Sequence, residues 1–216
     1  MWEKIKELTS IVKYELSTNP VLMVGILGGS ITRLIGILFS TYLIIWIQSF
    51  DRDINDRISK EDGKTIYSNI MVIAVLISAF VFPFVGRICD TYKPKYTVPF
   101  SFFFRAISTY IFLNVENPRH WNSYFSCILM IIATIIENIS VDTLFAKNLP
   151  KETRAILNGV YSFSGNSGIL LYSLLSGWLV DNVGPKSPFA LIGLLDILFG
   201  LSVFCFSDQI FFKDEE

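Results

Sequence analysis

The sequence predicts an all-α membrane protein, six transmembrane helices preceded by an amphipathic interfacial helix. Three observations carry that prediction. Of 216 residues, 52% are hydrophobic and only 17% are charged, and the mean hydropathy is +0.51. An average soluble domain is about 25% charged. The apolar residues gather into six stretches of roughly 20 residues or more, the length that a bilayer core demands. Polar connectors separate the stretches. The same composition excludes intrinsic disorder, which requires a far less apolar chain. It also excludes a nucleic-acid partner, because 18 Lys and Arg against 19 Asp and Glu leave a net charge of -1 and no basic surplus for phosphates.

Residues 1–19 form the opening unit. Trp2, Ile5, Leu8, Val12 and Leu16 recur at spacings of 3 or 4 and make one apolar stripe, suited to lying in the headgroup region. Glu3 and Glu7 interrupt any signal-peptide pattern. Ser17 to Pro20 then turns the chain into a membrane domain over 20–208, followed by a polar tail over 209–216. The first span, 21–48, is broken only by Arg33 and exceeds the bilayer thickness, so it tilts or extends past the lipid. The second covers 66–85, with Pro83 near its end, and the third covers 96–115, with Arg105 at its centre. The fourth, 123–147, contains Glu137 and Asp142, the fifth is 155–180, and the sixth, 188–207, contains Asp196. The longest connector, residues 49–65, is dense in charges of both signs.

An even number of spans puts both termini on one side. Connectors on that side hold ten Lys and Arg, and the opposite ones hold six, which places the termini in the cytoplasm of a multi-pass protein. The other two basic residues, Arg33 and Arg105, lie inside the spans. Cys89, Cys127 and Cys205 have neither metal-ligand spacing nor a disulfide pattern, so no metal and no cofactor is expected. His120 reads as a solvated loop residue. No P-loop, zinc-protease or nucleophile–histidine–acid arrangement is present, so no enzyme is expected.

Polarity inside the spans points to function. Ser30, Arg33, Ser40, Thr41 and Gln48 fall near one face of the first span, and Asn158, Ser162, Asn166, Ser173 and Ser176 make a stripe on the fifth. A lipid-facing helix would carry neither stripe, since each polar group there needs a partner or water. Cavity lining and helix packing both satisfy that need. Gly25, Gly28, Gly29, Gly36, Gly159, Gly165 and Gly168 read as packing residues.

Arg33 lies 12 residues into its span and Glu137 lies 10 residues from the end of its own. At about 1.5 Å per residue, their depths are roughly 18 and 15 Å, so the two are expected to be able to pair. Arg33 then either holds an anionic solute group or neutralises Glu137, whose protonation would couple transport to a proton gradient; a static ion pair is the alternative. Arg105 and Asp196 match in depth in the same way and read as a structural ion pair. Asp142 is expected near Lys147 or Arg154, in a gate network.

The connectors carry a resemblance to a known family. Gly86-Arg87-Ile88-Cys89-Asp90-Thr91-Tyr92-Lys93-Pro94-Lys95 resembles the cytoplasmic signature loop of the major facilitator superfamily, G-x-x-x-D followed by basic residues. Gly86, Asp90 and Lys95 match; Lys93 and Pro94 replace the family's second glycine and following arginine. Residues 148–159 are similar to the family's P-x-x-x-R-G segment through Pro150 and Arg154, with Ala155 in place of the glycine. Gly177, Asp181 and Gly184 resemble the G-x-x-x-D-x-x-G turn that leads into the last helix of a half.

The resemblance implies one six-helix half of a two-half transporter, built from two inverted three-helix repeats. The opening helix resembles the linker into the seventh helix of the family, which favours the carboxy-terminal half; the clear signature loop fits the amino-terminal half. Spans one, two, four and five would line the cavity, and spans three and six would be peripheral. The implied function is secondary transport of a small solute by alternating access, as symport or antiport with a coupling proton or cation. The implied partners are the lipid bilayer, the solute, and a second six-helix half or a homo-oligomer. A non-transporting membrane subunit of a larger complex, or a fragment of a longer transporter, is the alternative.

Overall fold

The computed structural model describes residues 2–50 and 60–211, without the side chains of 2–5, 7–8, 60–62 and 208–209. Trp2, Ile5 and Leu8 of the expected stripe, most of the charged connector and the end of the tail therefore lie outside the described side chains. All described regular structure is helical.

Helix α1 (Trp2–Thr18) ends where the Ser17 and Thr18 hydroxyls donate back to the Tyr14 carbonyl, each at 2.8 Å. Such side-chain bonds compete with further helix. Asn19 caps the next helix by accepting from the Val21 N–H at 3.2 Å, and Pro20 occupies the first turn, where its missing N–H is not needed. One 30-residue rod then runs Pro20–Ser49. It consists of α2 (Pro20–Ile37), a π-helical turn (Leu38–Tyr42) and α3 (Leu43–Ser49). No residue in the sequence pattern announces the π turn.

Helix α4 (Lys60–Thr91) overruns its expected 66–85 at both ends and passes through Pro83. Gly86 and Asp90, expected on a loop, are therefore helical. A Cβ at Gly86 would meet nothing within 4 Å, so no close helix approach depends on that glycine. The break comes at Lys93, held extended (φ -66°, ψ 136°) by the proline that follows and opens α5 (Pro94–Leu113). Helices α6 (Trp121–Lys147), α7 (Arg154–Asn182) and α8 (Ser187–Cys205) follow their expected spans within about two residues, the usual scatter of helix boundaries. Gly177 also lies inside a helix and meets no neighbour. The glycine that turns the chain is Gly184, at φ 136°, where a side chain would be strained. A short α9 (Ser207–Ile210) brings Phe211, expected in a polar tail, into an apolar cluster with Val21, Val98 and Val203.

Among the described residues, four helices are long and apolar enough to cross a membrane: Pro20–Ser49, Gly63–Thr91, Trp121–Lys147 and Ser187–Cys205. Helices α5 and α7, at 20 and 29 residues, fall short on composition. Arg105 and several hydroxyls dilute the first, and a run of Asn and Ser dilutes the second. Phe80, Phe84, Phe100, Tyr110, Leu174 and Phe204 point outward from the bundle, a surface that fits hydrocarbon.

The most extensive helix pairings are α5 with α8, α5 with α6, α2 with α7, α4 with α6, and α2 with α6. Each joins one of the first three long helices to one of the last three. The first pairs with the fifth as the second pairs with the fourth. Apolar clusters close the bundle at two ends. At one, Trp46 meets Phe112 edge-on at 4.8 Å, and Phe112 meets Phe189 at 4.5 Å. At the other, Phe102 and Phe199 lie 4.6 Å apart, and Phe145 stacks on Tyr161 at 4.3 Å. Lys186, between α7 and α8, donates to the carbonyls of Leu113 and Val115, closing the C-terminal end of α5. Partial burial lowers its pKa from the ordinary lysine value, and Glu116 offsets part of that.

Candidate functional site

Two groups of charged residues occupy the bundle; the Arg105–Asp196 pair expected from depth forms, and the expected Arg33–Glu137 pair does not. The first is fully buried. Arg105 Nε donates to Asp196 Oδ2 at 2.7 Å, and its Nη2 donates to the other oxygen of the same carboxylate, a two-pronged contact. Glu137 Oε2 lies 2.6 Å from the same Nε, and all three residues are 0% exposed. Asp196 takes the well-aligned hydrogen bonds, and neither Glu137 oxygen has one. Close backbone approach makes room for this. A Cβ at Gly193 would stand 3.2 Å from Thr109 Cγ2, and one at Gly200 would stand 3.3 Å from Phe102 Cβ, so α8 lies against α5 on both sides of Asp196.

Arg105 and Asp196 thus meet, and Glu137 joins them instead of Arg33. Equal depth fixes height along a helix and leaves its rotation open. Helix α6 packs on α2 and α5 together, and Glu137 faces α5. Val141 and Phe145 face α2 instead, against Gly28 and Gly25.

The second group lies at a helix face open to the exterior. Arg33 is half-buried; its guanidinium sits 4.5 Å from the centre of the Tyr161 ring, and Nη1 donates to the Ser162 carbonyl at 3.3 Å. The Tyr161 hydroxyl is 2.5 Å from Asp142 Oδ1. The three side chains make a relay from α6 through α7 to α2. Glycines seat it. A Cβ at Gly165 would come within 2.5 Å of Arg33 Cδ, and one at Gly29 would collide with the Tyr161 ring. Asp142 therefore does not meet Lys147 or Arg154 as expected. Lys147 pairs with Asp90 at 3.1 Å, joining the ends of α6 and α4. Sequence reading missed Tyr161; its one signal is an aromatic hydroxyl beside the Asn and Ser positions of α7.

Asn158, Ser162 and Asn166 are exposed on α7, as are Gly36, Ser40, Thr41 and Gln48 on the neighbouring rod. Ser30 is bonded to Ser164 at 2.7 Å, between the two helices. Farther along α7, Ser173 is half-buried and donates to the Ile169 carbonyl, while Ser176 is fully buried. The expected α7 stripe thus turns inward. Ten residues at 3.6 per turn leave Ser176 about 80° away from Asn166. Asn166, Ile169, Leu170, Ser173 and Leu174 line a groove of about 450 Å³ there. Gly36 and Gly159 meet no neighbour, against their expected packing role, whereas Gly25, Gly28 and Gly168 do pack.

Of the connector residues, Lys95 lies over the Tyr96 ring at 5.3 Å, and Arg154 opens α7 exposed. Pro150 is half-buried in the turn before it, and Asp181 is exposed in the last turn of α7. Thr153 donates to Glu15 Oε1 at 3.3 Å, tying that turn to α1. Among the described residues no cluster of His, Cys, Asp and Glu could hold a metal ion.

No curated protein and no solved structure matches the chain. A family model does: the one described as Major Facilitator Superfamily matches residues 22–210, nearly the full helical bundle. With its outward apolar surface and that match, the chain is an integral membrane protein belonging to the major facilitator superfamily of transporters.

Proposed function

We propose that the chain is one six-helix half of a secondary transporter, moving a small solute by alternating access against a second six-helix half or a second copy. The observation that carries this is the open polar face: Arg33, Ser40, Thr41 and Gln48 on the first rod, beside Asn158, Ser162 and Asn166 on α7. In hydrocarbon those groups would be unsatisfied; against a second half they line a wet cavity. Helices α5 and α7 serve as the third and fifth crossings, since 20 and 29 residues span roughly 30 and 44 Å. The matched pairings of first with fifth and second with fourth helix support two three-helix repeats.

Both termini face the cytoplasm in this reading, so the Asp90–Lys147 pair is a cytoplasmic latch that opens and closes with the cavity. Gly86, Lys95, Pro150 and Arg154 belong to the same cytoplasmic ends of the helices, and Gly177 and Asp181 to the opposite end of α7. A proton or cation gradient drives the cycle. The test is the mass of the detergent-solubilised particle together with gradient-driven uptake in proteoliposomes. A twelve-helix particle with uptake is expected. A large hetero-complex without uptake would replace this reading with that of an accessory subunit.

A further inference from the structure

We infer that the solute carries an oxyanion, a carboxylate or phosphoryl group, and that Arg33 holds it. The inference rests on the transport reading and names the solute class for the same open face. Four observations converge on it.

Arg33 is a cation on the open face with no carboxylate within ion-pair reach among the described residues. The two buried acids at comparable depth, Glu137 and Asp196, are both taken by Arg105. The acid nearest to Arg33 in the relay, Asp142, is engaged by the Tyr161 hydroxyl at 2.5 Å. Among the described residues no acid is left to neutralise Arg33.

The guanidinium is also aimed. The Tyr161 ring covers one side at 4.5 Å, and the Ser162 carbonyl takes one Nη1 hydrogen. Gly165 leaves no side chain where Arg33 runs along α7: a Cβ there would stand 2.5, 2.6 and 3.0 Å from Cδ, Nη1 and Nε, so the stem and that edge of the fork are seated, and Nη2 forms no hydrogen bond within the described residues. A fixed fork with open N–H groups matches the two oxygens of a carboxylate or phosphoryl group.

Asn158, Ser162 and Asn166 extend the site along α7 at four-residue steps, about 6 Å each. All three are exposed, and no hydrogen bond of their side chains is formed within the described residues. Their amides and hydroxyl both donate and accept, so they suit further hydroxyl or carbonyl oxygens of the solute. A small oxygen-rich anion satisfies every group on this strip. A cation would face the unneutralised Arg33.

The test uses the full chain, in the particle it forms, in nanodiscs and proteoliposomes, with succinate and glycerol 3-phosphate as anionic probes and glycerol and putrescine as neutral and cationic ones. At least one anion is expected to raise the melting temperature and to be taken up, and glycerol and putrescine neither. Arg33→Gln is expected to weaken anion binding at least ten-fold; Arg33→Lys keeps the charge without the fork and retains part of it. If Arg33→Gln misfolds, the Asn158→Ala/Asn166→Ala double variant, both positions exposed, is expected to lose affinity several-fold with the melting temperature of the empty protein unchanged. Uptake of glycerol or putrescine that survives Arg33→Gln overturns the anion assignment and leaves the transport reading standing. Anion binding unchanged by these substitutions, or absent from the native protein, overturns the assignment as well. Anion binding without uptake of any probe overturns the transport reading alone.

Discussion

Arg105 holds two carboxylates in a site closed to water, and it is the partner that both of them need. Removing one partner of a buried pair typically costs about 3–5 kcal/mol, because the remaining charge is stranded. Arg105→Met is therefore expected to lower the melting temperature of the detergent-solubilised protein sharply. Glu137→Gln, which removes a carboxylate that has no aligned hydrogen bond, is expected to cost much less. Equal losses for the two would show that Glu137 is as necessary as the arginine. Tyr161 divides in the same way. Tyr161→Phe keeps the ring beneath Arg33 and loses the bond to exposed Asp142, at an expected cost of about 1 kcal/mol. Tyr161→Leu is expected to cost more in both stability and solute affinity, because it also removes the surface that orients the guanidinium.

At the scale of elements, glycine explains how closely helices approach, and it does so unevenly. Gly29→Ala drives a methyl group into the Tyr161 ring and is expected to destabilise by about 1–3 kcal/mol, as overpacking does. Gly159→Ala meets open space inside a helix and is expected to be neutral, or to gain up to about 1 kcal/mol from helix propensity. Thermal unfolding of the two variants side by side checks this; a loss at Gly159 would reveal a partner seated on that face. The latch between α4 and α6 behaves differently again. With Lys147 and Asp90 side chains 47% and 72% exposed, Asp90→Asn is expected to change stability by less than about 1 kcal/mol. Any marked effect of that variant belongs to uptake kinetics. The existence and limits of most helices were legible in the sequence, since Asn19-Pro20, Lys93-Pro94 and the apolar runs have local causes. The π turn was not, nor the helical state of Gly86, because neither leaves a local mark.

For the whole molecule, the central expectation is that the bundle does not work alone and that a second half covers its open polar face; the mass of the solubilised particle reads that directly. The sequence by itself determined the class. Helix periods, apolar run lengths and the placement of basic residues are local properties, and they settled a helical membrane protein with charges at Arg33, Arg105, Glu137 and Asp196 inside it. The connector motifs settled the family in the same way, through Asp90, Arg154 and Asp181 at successive helix ends, and the family match over 22–210 agrees. Which charges meet was decided only in three dimensions. Depth follows from counting residues, but the partner depends on how each helix is rotated and which neighbours it packs against. Helix α6 turns Glu137 toward α5, and Arg105 accepts it. That rotation leaves Arg33 to the Tyr161 ring and the Ser162 carbonyl on the open face, instead of to an acid on α6.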